Sequence, residues 1–163
     1  MNKEIERIYD RVDELLEKEC YLIDVFPRQI SEEKSRQYLA LEEFYSSDEQ
    51  IKKISGQFMN VILKLYAYYD FDHVIDDFDE LHDSFEDMVS EIEHVYEMGR
   101  GGLSILINGE NSLLAVYGDS LYMCLYAPSE DMKRLTEEIC LREGLYFRKA
   151  PEFDLSEVDT DEE

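Results

Sequence analysis

Basic residues are scarce in this chain. Its 163 residues include 40 Asp and Glu but only 16 Lys and Arg, which gives a formal net charge of −24 at pH 7. Such a chain repels the phosphates of nucleic acids and of anionic membranes over roughly a Debye length, about 10 Å at ordinary ionic strength. The composition therefore argues against direct binding to nucleic acid or to a membrane surface. A basic protein is the natural complement.

Cysteine is also scarce, and long hydrophobic runs are absent. Cys20, Cys124 and Cys140 are odd in number and far apart, and each lies in an apolar stretch. That pattern is typical of reduced, buried thiols and not of a disulfide framework or a zinc site. The charged N-terminal residues lack the apolar core of a secretory signal, and no apolar run approaches the roughly 20 residues that span a bilayer. We therefore expect a cytoplasmic protein.

Tryptophan is absent, so the large buried side chains must come from the 12 Tyr and 8 Phe residues and from aliphatic residues. Hydrophobic residues make up 44% of the chain, which is compatible with a folded protein. The length suits one domain with a single core. We expect residues 1–151 to form one α+β domain, followed by an acidic flexible tail at 152–163, which holds seven acids and no base.

The segment from 103 to 150 alternates strand and turn signals. Asn108-Gly109 favours a tight hairpin, because both residues tolerate positive φ. Ser129 is a favoured N-cap and Gly144 a favoured helix end, so they should bound one helix. The apolar runs between these signals predict strands at 103–107, 113–117, 121–126 and 145–149.

Helical periodicity dominates the first half of the chain. Apolar residues spaced three and four apart predict an amphipathic helix over 2–19 and a short helix around 38–45. Ser47 begins a capping box before a longer and largely buried helix, which carries its apolar stripe over 51–69. Gly56 within that helix lowers helix propensity by about 1 kcal/mol relative to Ala. We therefore expect a close helix or strand neighbour at Gly56.

One short strand is predicted early in the chain, at 21–26, where β-favouring residues are stopped by Pro27. Asp24 within it should lie at a sheet edge or point away from the core. The elements together predict an α+β fold, in which N-terminal helices pack on one face of a mainly antiparallel C-terminal sheet made of a β-meander, a helix and a last strand.

Residues 71–98 carry a heptad-like apolar seam. We expect one long helix, or two helices with a break near Asp83-Ser84, where either residue could cap a new helix. The break is favoured because clustered acids repel one another at i,i+4. The seam should pack against the core or against a partner helix, and it could join two copies of the chain into a homodimer. Its members are Val74, Phe78, Leu81, Phe85, Met88, Ile92 and Val95.

The acidity of the chain is local, since residues 65–99 contain twelve acids and no Lys or Arg. On the helical interpretation, most of these acids fall off the apolar seam and form a negative ridge facing water. Solubility alone would explain such a face. Interspersed Lys or Arg residues would, however, stabilise the helix by a few tenths of a kcal/mol per i,i+4 ion pair. Their absence suggests that the negative electrostatic field of this face serves a function. The predicted ridge consists of Asp72, Asp76, Asp79, Glu80, Asp83, Glu86, Asp87, Glu91, Glu93 and Glu97.

These features predict a non-enzymatic acidic protein-binding module of inhibitor or immunity type. Its ridge would neutralise a basic partner, such as a nuclease, by electrostatic attraction. A continuous helix at about 1.5 Å rise per residue would space the charges about 4 Å apart, near the spacing along one DNA strand. A DNA mimic that inhibits a nucleic-acid-binding protein is therefore an alternative.

A third class, an enzyme that uses carboxylates or a metal, has weaker support. No calcium-binding loop and no Gly-x-Ser-x-Gly nucleophile is present. Acids this dense also produce carboxylate-x-x-His spacings by chance. We therefore expect no catalytic residues, no metal and no cofactor. The three such pairs are Asp70/His73, Asp79/His82 and Glu91/His94.

Overall fold

The computed structural model describes residues 2–151. Its six strands form one sheet in the order β2-β3-β4-β5-β1-β6, and every neighbouring pair is antiparallel. The helices are α1 (Lys3–Leu16), α2 (Ser35–Tyr45), α3 (Asp48–Tyr66), α4 (Phe85–Met98) and α5 (Glu130–Glu143), with a short 3₁₀ helix at Glu32–Lys34. The strands are β1 (Cys20–Asp24), β2 (Phe71–Asp76), β3 (Gly102–Ile107), β4 (Ser112–Tyr117), β5 (Tyr122–Tyr126) and β6 (Tyr146–Lys149).

Both faces of the sheet are covered by helices. Successive side chains of a strand point to opposite faces, so Ile105 of β3 joins the main core with α3, α4 and α5. Leu106 of the same strand packs on the other face with Ile8 and Val12 of α1. The predicted α+β class with an antiparallel sheet is confirmed. One helix, α1, lies on the face opposite the other packed helices.

The C-terminal elements follow their local signals. β3 and β4 are joined by the turn 108–111, in which Asn108 and Gly109 both have positive φ. α5 begins after Ser129, whose hydroxyl accepts a hydrogen bond from the Met132 N–H, and ends at Gly144 with φ +77°. The predicted meander, helix and last strand are confirmed.

The predicted N-terminal helices are also present, but two predictions about α3 were wrong. Ser47 precedes the helix without a side-chain capping bond, and its hydroxyl instead donates to the Phe44 carbonyl. A Cβ placed on Gly56 would meet nothing within 4 Å. Gly56 has no close neighbour because it borders an open groove of about 510 Å³ between α3 and α4.

β1 lies inside the sheet, between β5 and β6. Asp24 in this strand is only 5% exposed, and its Oδ2 atom lies 2.6 Å from Nη2 of Arg148 in β6. Asp24 lies on the same face of β1 as Leu22, whereas Ile23 points into the main core. Its side chain therefore faces away from the main core, which is one of the two expected positions, but it is buried and does not lie at a sheet edge. The carboxylate can be buried because a guanidinium compensates its charge.

Residues 71–83 do not form the predicted helix. Phe71–Asp76 is the edge strand β2, which pairs with β3, and a turn follows. The helix prediction for this segment was wrong because Val74, Phe78 and Leu81 have helical spacing by coincidence. Val74 lies inside a strand, whereas Phe78 is 85% exposed in the turn. Tertiary pairing with β3 decides the conformation of this segment.

The second half of the seam is helical. This agrees with the predicted break near Asp83-Ser84, after which a new helix begins. α4 begins after Ser84, whose hydroxyl accepts a hydrogen bond from the Asp87 N–H. Its seam residues Met88, Ile92 and Val95 are buried in the main core of the chain itself. These three residues therefore pack within the chain.

The tail predicted at 152–163 lies outside the described residues. Between residues 2 and 151, no helix is both long enough and apolar enough to cross a membrane. The three cysteines are free thiols; Cys124 and Cys140 are buried and Cys20 is partly exposed.

Candidate functional site

β2 runs into a carboxylate-rich loop at residues 77–81, which we call the acidic turn. Asp76, the last residue of β2, closes this turn from inside. Its Oδ1 atom accepts hydrogen bonds from the backbone N–H groups of Phe78 at 2.8 Å and Glu80 at 3.0 Å. The Asp76 N–H in turn donates to the Glu80 carbonyl at 3.0 Å. An Asp side chain that bonds its own downstream backbone is a common way to fix a turn.

His82 lies behind the acidic turn and engages the other oxygen of Asp76. Its Nε2 atom is 2.8 Å from Asp76 Oδ2, and each residue is 7% exposed. Its Nδ1 atom lies 3.1 Å from an Asp87 oxygen, which is ion-pair distance without hydrogen-bond alignment. A Glu91 oxygen is 4.0 Å from Nε2. We call the pair Asp76 and His82 the histidine clamp.

The charges of the clamp stabilise each other. Burial opposes ionisation of Asp76, but hydrogen bonds from His82 and from the Glu80 and Phe78 N–H groups outweigh it and lower the pKa of Asp76. Burial likewise opposes protonation of His82. The carboxylates of Asp76, Asp87 and Glu91 outweigh burial and raise the pKa of His82. An opposite charge within hydrogen-bond distance commonly dominates in this way.

A second contact, made by Tyr9 of α1, also fixes the acidic turn. The Tyr9 hydroxyl donates a hydrogen bond to the Asp79 carboxylate and lies 3.3 Å from the Asp76 carbonyl oxygen. Burial, together with Asp79, raises the pKa of Tyr9 to about 12. Asp79 has φ +65°, an uncommon conformation that Asp tolerates better than most residues. The turn is thus fixed on two sides.

Phe78 stands at the tip of this fixed turn and is 85% exposed. Its neighbours Asp77, Asp79 and Glu80 are exposed as well. A groove of about 680 Å³ runs beside the turn toward α4, and we call it the acidic groove. The residues that line it are Asp76, Asp77, Phe78 and Glu80 on the turn side, Glu91, His94, Val95 and Met98 on α4, and Arg100, Gly101 and Gly102.

The acidic groove can accept a long cationic side chain. Met98 provides apolar surface for an aliphatic stem, and the lining includes the carboxylates of Asp77, Glu80 and Glu91. Arg100 is a cation in the same lining. Lys and Arg side chains commonly bury their stems in this manner while the charged head stays near polar groups.

The predicted ridge is not one continuous surface. Asp76, Asp79, Glu80, Asp87 and Glu91 gather around His82 and the acidic turn. Glu93 and Glu97 border the separate groove between α3 and α4. Glu86 is exposed in the first turn of α4.

The two remaining ridge acids, Asp72 and Asp83, bond the protein's own backbone. Asp72 accepts a hydrogen bond from the Glu110 N–H at 2.7 Å. Asp83 accepts one from the Val74 N–H at 2.9 Å, and its other oxygen lies 3.1 Å from His73. The prediction that Asp72, Asp76 and Asp83 project from a helix was wrong, because the first two lie in β2 and Asp83 precedes α4. It was also wrong for Asp79 and Glu80, which lie in the acidic turn.

Sequence reasoning missed three residues of this site. Phe78 was assigned to an apolar seam, while Asp77 and His82 were given no role. The available signal was the run Asp76-Asp77-Phe78-Asp79, since repeated Asp after a β-favouring hexapeptide is typical of a turn.

Three residues of this site carry atoms that could bind a metal ion. Potential ligand atoms of Asp76, Glu80 and His82 lie within 4.8 Å of one another. Both Asp76 oxygens and His82 Nε2 are, however, already engaged within the clamp and the turn. A cation would have to replace these bonds, so we assign no metal to this cluster.

Comparisons with protein-family models, with curated proteins and with solved structures gave no match to this chain.

Proposed function

We propose that this chain is a non-enzymatic protein-binding module of inhibitor or immunity type, which neutralises a basic partner through the acidic turn and the acidic groove. The observation that carries the proposal is Phe78, an 85% exposed aromatic side chain on a turn fixed from two sides. The proposal places the module in the cytoplasm, where reducing conditions keep thiols free.

An exposed Phe on a fixed turn has the properties of an interface anchor. Burying a Phe side chain is worth about 1.5–3 kcal/mol relative to leaving it in water. Aromatic residues at the centre of an interface often dominate its binding energy. Because the turn is already ordered by Asp76 and Tyr9, little conformational entropy remains to be lost on binding.

The carboxylates around Phe78 select the charge of the partner. Asp77, Asp79 and Glu80 flank the aromatic ring in sequence, and Glu91 lies across the groove. We expect a Lys or Arg side chain of the partner to enter the acidic groove while Phe78 packs against neighbouring apolar surface. Opposite charge also steers the encounter and raises the association rate, most strongly at low salt.

The alternative of a DNA mimic depended on one helix through residues 71–98. β2 and the acidic turn replace the first half of that helix, so the regular charge spacing is absent. The DNA-mimic alternative therefore lacks the continuous helix on which it depended.

The test is capture of a partner from extracts of the organism that makes the protein. Immobilised wild-type protein should retain a basic protein that elutes as salt rises from about 50 to about 500 mM. Phe78→Ser should lose that protein. Phe44→Ser is the matched control, because Phe44 is a 55% exposed Phe on α2.

Two outcomes would contradict the proposal. One is a retained protein that is held equally by wild type and Phe78→Ser. The other is retention that does not depend on salt, which would mean that the carboxylates take no part in binding.

A further inference from the structure

Two of the three cysteines lie together on the sheet face opposite the main core. In the antiparallel pair of β1 and β5, Cys20 is opposite Tyr126 and Leu22 is opposite Cys124. Cys20 and Cys124 are therefore diagonal neighbours on one face, and Cys20 packs against the small cluster that contains Leu22 and Cys124. Cys124 is 6% exposed, whereas Cys20 is partly open to solvent.

The surroundings shift the pKa values of the two thiols in opposite directions. A hydrogen bond from the Cys124 thiol lowers the pKa of Cys20; burial opposes this, and a further hydrogen bond from Tyr126 adds to the lowering. Its bond to Cys20, together with burial, raises the pKa of Cys124. Cys20 is also the more exposed of the two sulfurs, so it is the one that small molecules reach first. Thiolates, and not thiols, are the nucleophilic form.

A pocket gives small molecules access to this pair. It has a volume of about 480 Å³, and both cysteines line it together with Leu22 of β1. Arg148 and Asp24 also line it, and they are paired with each other at 2.6 Å. Accessible cysteines with lowered pKa beside a second cysteine are the ones that oxidants modify.

We propose that Cys20 is a redox-reactive thiol that hydroperoxides oxidise to a sulfenic acid, which Cys124 converts into a reversible Cys20–Cys124 disulfide. In the first step, the Cys20 thiolate attacks the terminal oxygen of the hydroperoxide. The S–O bond forms, the O–O bond breaks, and the alkoxide or hydroxide leaves and takes a proton from water. Sulfur is oxidised by two electrons and the peroxide is reduced.

In the second step, the Cys124 sulfur attacks the Cys20 sulfur. The S–S bond forms, and the hydroxyl leaves as water with the proton of the Cys124 thiol. Diagonal positions in an antiparallel pair have Cα atoms about 7–8 Å apart, which slightly exceeds the usual disulfide span of about 4.4–6.8 Å. Closing the bond must draw β1 and β5 together, so the disulfide should be strained and easily reduced.

The experiment treats the reduced, full-length chain with a small excess of hydrogen peroxide and maps the products by mass spectrometry. Wild type should give a peptide pair linked through Cys20 and Cys124, which dithiothreitol separates. Cys124→Ser, in the presence of dimedone, should instead accumulate a dimedone adduct at Cys20. Cys140, which is fully buried in α5, is the internal control and should react at least roughly tenfold more slowly.

Equal reaction of Cys20 and Cys140 in the folded chain would overturn the proposal. A sulfenic acid trapped on Cys124 in Cys20→Ser, at the rate seen for Cys20, would overturn the assigned roles. A dimedone adduct at Cys20 in wild type, without any linked peptide, would overturn the resolving step. Circular dichroism of each variant before oxidation establishes that the fold is retained.

Discussion

The imidazole of His82 and the carboxylate of Asp76 meet inside the protein, with Nε2 and Oδ2 2.8 Å apart and each residue 7% exposed. The same carboxylate holds the backbone of the acidic turn through its second oxygen. The position of Phe78 at the surface therefore depends on a buried charge pair behind it.

The strength of the clamp should depend on pH. The pKa of His82 is raised in the folded state, so its contribution is fully present below the unfolded pKa, about 6.5, and is lost as pH rises through the folded pKa. The pKa of Asp76 is lowered, so its contribution is present above the unfolded pKa, about 3.9, and is lost as pH falls through the folded pKa.

The measurement is the free energy of unfolding in urea at several pH values for wild type and His82→Asn. The difference between the two proteins should be largest between about pH 4 and about pH 6.5. Comparing the two cancels the general effect of the high net charge. A difference that is constant from pH 4 to 9 would mean that His82 is not charged in the clamp.

Removing either member of the clamp should destabilise the chain. His82→Asn should cost about 1–3 kcal/mol, because Asp76 loses a charge-assisted hydrogen bond in a buried place. His94→Asn is the matched control, since His94 is exposed on α4, and it should change stability by less than about 0.5 kcal/mol. Equal effects of the two substitutions in chemical denaturation would contradict the clamp.

The buried ion pair between Asp24 and Arg148 allows a separate test. Asp24→Ala alone should cost about 3–5 kcal/mol, because a largely buried guanidinium loses its partner. Asp24→Leu combined with Arg148→Met should recover most of that loss, since no unpaired charge is left. A double variant as unstable as Asp24→Ala, measured by urea unfolding, would show that packing and not charge dominates at this position.

Replacing Gly56 with Ala should stabilise the chain. Gly56→Ala should raise the free energy of unfolding by up to about 1 kcal/mol, because Ala favours the helix and its Cβ enters open space. Gly118→Ala should act in the opposite direction, since its Cβ would collide with the Val95 carbonyl oxygen. Thermal unfolding of both variants provides the comparison, and a loss of stability in Gly56→Ala would contradict an unoccupied groove.

Single charges of the acidic groove should tune affinity for a basic partner in both directions. Glu80→Gln should weaken binding by roughly two- to fivefold, and Arg100→Gln should tighten it by a similar factor, since single exposed charges are worth about 0.2–1 kcal/mol. Titration calorimetry at low salt measures both. If the two substitutions shift affinity in the same direction, the groove is not the cation site.

Local signals in the sequence predicted much of the fold. Ser129 and Gly144 bound α5 because capping depends on adjacent residues only. Ser84 could be identified as a helix start for the same reason. The buried state of Asp24 could not be predicted, because it depends on Arg148, which lies far away in sequence.

The candidate site was predicted only in part. The acids near His82 could be named because they are concentrated in one segment, but their arrangement depends on β2 pairing with β3. Val74 and Phe78 have a spacing that suits a helix, and only the neighbouring strand decides otherwise. The only local signal for the exposure of Phe78 was the Asp-rich run around it, which is typical of a turn, and the helical spacing concealed that signal.

The most direct test is the dissociation constant of the captured basic partner for wild type, Phe78→Ser and the control Phe44→Ser. Phe78→Ser should weaken binding by about 30-fold or more, equivalent to about 2 kcal/mol, while Phe44→Ser should bind like wild type. Equal affinities of wild type and Phe78→Ser would contradict the assignment of the acidic turn as the binding site.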